Sequence, residues 1–254
     1  MTIDFTITLS FALLSLSLIV QSFEMFSLCK TLDSNSPWSW NHVRNDFINC
    51  PSIILFSLDQ VYKNNFKLLI LLQIGLSLCL PVFPRFIIPL LIITYFLIAL
   101  RFRGNFNGGS DAMTMATLVS LAFSLVELKT PIGFYLLAFH CTLSYFTAGI
   151  VKLKNKSWRS GSALQVFLTH SNYPVPAKVQ KLAKQKIFIS ISSLLVIFFE
   201  CTFPLVWLFP KFTGLYIILA IFFHIINYFC LGLNRFVFAW LASYPALFFC
   251  TQNA

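Results

Sequence analysis

The chain has 254 residues, of which 58% are hydrophobic and 10% charged, with 30 Phe and a mean hydropathy of +0.81. A soluble domain carries about 25% charged residues, and a chain of this length cannot hide so much apolar surface from water. The net charge of +10 rests on basic residues set between apolar runs, which argues against nucleic-acid binding as its purpose.

Charge-free runs set the expected elements in chain order. The first, 5–23, lies between Asp4 and Glu24. It begins on an acid rather than a basic segment, and no small-x-small site follows, so it is read as a span and not as a cleaved signal peptide. The next runs are 68–84, 86–100, 112–126 and 130–151. Then come 187–210, interrupted by Glu200, and 212–234. The stretch 236–254 either spans, re-enters or lies on the surface, and 47–62 has the same ambiguity. Crossing takes about 20 residues at about 1.5 Å each, so the short third and fourth runs need snorkelling Arg ends or local thinning. The prediction is an all-α integral membrane protein of one domain, a bundle of seven or eight transmembrane helices.

Of the 18 Lys and Arg, 15 fall after odd-numbered spans, while Arg85, Lys129 and Lys211 fall on the other side. The positive-inside rule then makes the odd loops cytoplasmic in a multi-pass cell-membrane protein. The seven cysteines show neither CxxC nor zinc-type spacing, so no metal site is expected.

Candidate site residues are the polar groups placed where polarity is costly. Tyr145 and Lys152 are seven apart and share a helix face, followed by Trp158. Ala148 and Gly149 permit close approach of another helix. Lys152 on its own is an interfacial anchor by default. His224 and Asn227, three apart, share a face of the seventh run, and His224 is either a proton carrier or a packed core imidazole. Glu200 and Glu24 are further acids within or beside apolar runs, each a possible partner for a Lys or Arg. The segment from Arg101 and Arg103 through Asn107 to Asp111 is a Gly-Gly turn feeding a helix. Asp111 is either a cap or part of a site mouth, and the two arginines suit an anionic head group.

Three of these segments, between about 100 and 240, resemble the HTTM family, the membrane domain shared by vitamin K-dependent gamma-carboxylases and many bacterial proteins. YFTAGIVKLKNKSW is similar to the carboxylase stretch that carries the lysine base, and Lys152 matches that lysine. FHIINYFCLGL resembles the carboxylase His-x-x-Asn segment, which puts His224 and Asn227 on functional positions. NFNGGSDAM resembles the Gly-Gly-Asp turn of bacterial members, at a place where carboxylases have a histidine. The resemblance implies a membrane enzyme with Lys152, His224 and Asp111 as catalytic residues. Asn227, Asn107, Arg101, Arg103, Tyr145, Trp158 and Glu200 would bind substrate. It also implies a quinone or hydroquinone cofactor and a peptide or lipid substrate, and, without the carboxylases' extramembrane region, an enzyme of this kind requires a separate soluble partner protein. The sequence ends soon after its last apolar stretch, so the carboxylases' large extramembrane region is expected to be lacking. The alternative is a non-catalytic membrane partner that binds a lipid or hydrophobic peptide for maturation or export.

Overall fold

The computed structural model describes all residues except 1, 33–35, 103–107, 127–130, 171–172, 174 and 254, and only the backbone of residues 30, 64 and 126. The described residues form helices and no strands. Chain order runs α1 (Ile3–Leu28), α2 (Trp40–Val43), α3 (Ser52–Asn64), α4 (Phe66–Cys79), α5 (Pro84–Arg101) and α6 (Gly109–Val126). It continues with α7 (Ile132–Lys154), α8 (Lys156–Arg159), α9 (Ser162–Thr169), α10 (Ala177–Ala183) and α11 (Lys186–Thr202). The last elements are α12 (Leu205–Leu208), α13 (Thr213–Leu231), α14 (Asn234–Leu241) and α15 (Tyr244–Gln252).

Among the described residues, α1, α5, α7 and the run Pro210–Leu231, which contains α13, are long and apolar enough to cross a membrane. The pair α10 and α11 passes the same test together, although its two halves meet at 96°. Large apolar side chains such as Phe86, Phe198, Phe222 and Phe229 face outward, as lipid contact requires. The chain is therefore an all-α membrane protein. Length and composition support four spans, or five with the bent pair, fewer than the seven or eight expected.

The difference has local causes. The run 68–84 stops being helical at Cys79, before Pro81 and Pro84, and the 14 residues of α4 span only about 21 Å. The run 187–210 breaks after Thr202, where Pro204 supplies no N–H to continue the ladder. The stretch 236–254 folds as two short helices separated by Ala242 and Ser243. Of residues 47–62, left open by sequence, 52–62 lie in the 13-residue helix α3, on which Ile53 and Phe56 are exposed. At the end of α13, Gly232 takes φ +71, which only glycine adopts without a Cβ penalty, and its N–H closes on the Tyr228 carbonyl at 2.9 Å.

The chain divides into two compact units, one of Ile7–Gly133 and one of Met1–Thr6 with Phe134–Ala254. The first is centred on a buried cluster in which Met25, Trp40, Tyr62, Phe66, Ile98 and Phe102 take part. In the second, α7, α11 and α13 meet around Tyr145, Phe203 and His224, joined by the buried helix α15.

Candidate functional site

In the unit that holds Phe134–Ala254, α7 and α11 touch backbone to backbone. A Cβ added at Gly149 would lie 2.7 Å from the Cys201 nitrogen and 2.9 Å from the Glu200 carbonyl carbon. This is the close approach that the Ala148–Gly149 pair predicts. It brings Lys152, one turn further along α7, opposite Glu200. Lys152 Nζ donates to both carboxylate oxygens, at 2.8 and 2.7 Å. The Glu200 side chain is 3% exposed and that of Lys152 17%. A charge pair so far from water survives only with near-ideal geometry, which the two-pronged contact supplies.

Trp158 packs onto this pair. Lys152 Nζ sits 5.4 Å from the indole centroid, within cation–π range. The position of Trp158 is fixed from below, because Ser193 of α11 donates to its carbonyl at 2.5 Å and Asn155 caps α8 by accepting from the Ser157 N–H. Thr147, Ala148, Val151, Lys152 and Trp158 line an open pocket of about 430 Å³. Its walls are mostly apolar, with an ammonium at one side.

Behind the pair lies a second polar group. The Tyr145 hydroxyl is 2.7 Å from His224 Nε2 and 2.7 Å from the Tyr244 hydroxyl. Its ring stacks on Phe203 at 4.1 Å, and the His224 ring lies 5.0 Å from that of Trp240. His224 Nδ1 is buried and has no hydrogen-bond partner among the described residues. The bonded partner of His224 is thus Tyr145 on α7. Asn227 is half-buried one turn further along α13. Sequence reasoning passed over Tyr244 and Trp240, although a Tyr-Pro step inside an apolar stretch signals a buried polar tip at a helix start.

The other unit, Ile7–Gly133, carries its own polar network. Asp111 lies in the first turn of α6 and is buried; its Oδ1 accepts from Gln21 Nε2 at 3.1 Å and from the Tyr95 hydroxyl at 3.2 Å. It therefore ties α1, α5 and α6 together and is more than a cap. Arg101 ends α5 with 2% exposure, its guanidinium 5.7 Å from the Phe66 ring centroid. Arg103 and Asn107 lie outside the described residues. Glu24, the remaining acid of interest, sits in the last turns of α1. A second open pocket of about 490 Å³ is lined by Arg44, Ser52, Ile53, Leu55, Phe56 and Asp59. Asp59 accepts from Arg44 Nε at 2.9 Å and from Trp40 Nε1 at 2.6 Å, and these donors hold its carboxyl below the usual range.

Of the residues singled out from sequence, the structure thus brings Lys152, Glu200 and Trp158 together at one pocket. Tyr145 and His224 form the adjoining bonded pair. Asp111 and Arg101 belong to the other unit.

Comparison with known families gives one result for residues 127–253, which match the HTTM domain model. This segment includes Lys152, Trp158, Glu200, His224 and Tyr244; the Gly-Gly-Asp turn and Asp111 precede it. No curated protein matches the chain, and no solved structure does.

Proposed function

Since the chain belongs to the HTTM family, we propose that it is a multi-pass membrane enzyme whose Lys152–Glu200 pair moves a proton for a substrate held in the adjoining pocket. The observation that supports this most is a lysine bonded to both oxygens of a buried carboxylate while lining an open, mostly apolar pocket. Transfer of one proton from the Lys152 ammonium to Glu200 leaves an amine. That amine then accepts a proton from an acidic O–H or C–H placed in the pocket, so the pair as a whole gains one proton. Trp158 offers a flat face to a planar or acyl ligand. The Tyr244–Tyr145–His224 chain holds exchangeable protons nearby. Tyr145 stands two turns before Lys152 on α7, about 10.5 Å along the axis.

A quinol fits the pocket by its chemistry, since the walls are apolar and a cation lies at one side; when bound it would supply reducing electrons and a weakly acidic hydroxyl. A peptide or lipid is the proposed substrate, in the manner that gamma-carboxylase resemblance implies. Asp111, Arg101, Arg103, Asn107 and Asn227 are carried as further proposed site residues. The same reading treats the whole chain as one HTTM-like domain in the cell membrane. It takes α4, α6 and the pair α14–α15 as additional crossings, to reach seven or eight, with the odd loops cytoplasmic.

One observation favours the alternative, a non-catalytic partner that binds a lipid or hydrophobic peptide. The Lys152–Glu200 contact lies one turn from the tight α7–α11 crossing at Gly149, where an ion pair also serves as a staple. Native mass spectrometry of the gently solubilised chain tests the pocket. The wild type is expected to retain a quinone, lipid or peptide, and Trp158→Ala to lose most of it at unchanged folding. Equal retention in both, or none in the wild type, contradicts the pocket reading.

A further inference from the structure

No acidic residue occurs between Glu127 and Glu200, whereas eight Lys and Arg lie from Lys152 to Lys186. Lys152 is engaged by Glu200, and Arg159 donates to the carbonyls of Leu153 and Lys154 at the end of α7. Six lysines remain, Lys154, Lys156, Lys178, Lys181, Lys184 and Lys186. All are exposed, and none has an ion-pair partner among the described residues. Lys178 and Lys181 of α10 and Lys184 at its C-cap recur every three residues, within an arc of about 120°. The opposite side of α10 is anchored, with Ala183 fully buried beside Leu168, Val175 and Ile189 and with Gln165 Nε2 donating to the Ala183 carbonyl at 3.0 Å.

Two further features bear on where this charge lies. With α11 taken along the membrane normal, α10 at 96° to it lies in the plane of the surface. Val166 and Phe167 on α9 and Leu182 on α10 are exposed although apolar. An in-plane helix with exposed apolar side chains and unneutralised lysines is what an anionic bilayer surface complements, the lysines reaching head-group phosphates and the apolar groups entering the acyl boundary.

We propose that α8, α9 and α10, with the lysines that flank them, form an interfacial platform that binds anionic phospholipid head groups. This is independent of proton transfer at Lys152. The test uses the full chain reconstituted in bilayers of phosphatidylcholine with a minor share of phosphatidylglycerol, extracted gently, with the retained lipid quantified by class. Wild type is expected to enrich phosphatidylglycerol several-fold over its bilayer share, and the enrichment to fall as salt rises. The triple variant K178Q/K181Q/K184Q should return to the bilayer share, while K63Q/K67Q, exposed lysines of the other unit, should enrich as wild type does. No enrichment in wild type, salt-insensitive enrichment, or equal loss in the K63Q/K67Q control would overturn the platform. Where the triple variant folds poorly, the single variants K178Q, K181Q and K184Q should each lose part of the enrichment, and wild-type enrichment in all three would overturn the platform.

Discussion

Lys152→Met is expected to destabilise the chain by about 3–5 kcal/mol, because it leaves the Glu200 carboxylate buried without its cation. Glu200 is nearly inaccessible and both of its oxygens are bonded to Lys152, so the substitution removes both of its hydrogen bonds among the described residues. The double variant Lys152→Met/Glu200→Met should recover most of the loss, since two apolar chains of similar volume leave no uncompensated charge. The reversed pair Lys152→Glu/Glu200→Lys should also recover much of it. Denaturant or thermal unfolding in one detergent, with all variants compared against wild type, checks this. A Lys152→Met chain within about 0.5 kcal/mol of wild type, the size of an ordinary surface substitution, would show that the pair does not hold α7 to α11.

Gly149→Val is expected to cost about 1–3 kcal/mol or more by overpacking. The added carbons meet backbone, at 2.7 Å from the Cys201 nitrogen, and backbone cannot swing aside as a side-chain tip can. Separating the two helices would also draw Lys152 away from Glu200, so the variant should lose part of the ion-pair stabilisation as well. Gly75→Ala is the matched control, because no atom lies within 4 Å of its added Cβ. In the helix α4 it should be neutral or stabilising by up to about 1 kcal/mol. Equal melting of Gly149→Val and wild type would contradict the close crossing.

The sequence made the membrane class and the helical fold plain, because a hydropathy of +0.81 with 10% charge leaves few other solutions. The seven-residue spacing of Tyr145 and Lys152 placed both on one face, and the small pair Ala148–Gly149 marked the helix crossing. The partner of Lys152 was not legible. Glu200 lies 48 residues away, and only packing decides which acid meets which lysine. The same holds for Tyr244, which is 99 residues from Tyr145 and sits in a stretch whose apolar pattern fits a span as well as a buried pair of short helices. The helix ends inside the charge-free runs were not legible, since Pro81 and Pro204 accompany breaks without adding any charge.

Whether Lys152 works as a base is tested most directly by Lys152→Arg, assayed for the cellular phenotype of the chain at measured membrane abundance. Arginine keeps the positive charge and pairs with a carboxylate through two N–H groups, so the contact with Glu200 and the fold should persist. Its guanidinium stays protonated up to about pH 12, so it cannot take up a substrate's proton. The proposed chemistry predicts wild-type abundance with activity lost. Full activity of Lys152→Arg at wild-type abundance would contradict it and leave Lys152 and Glu200 as a structural pair alone.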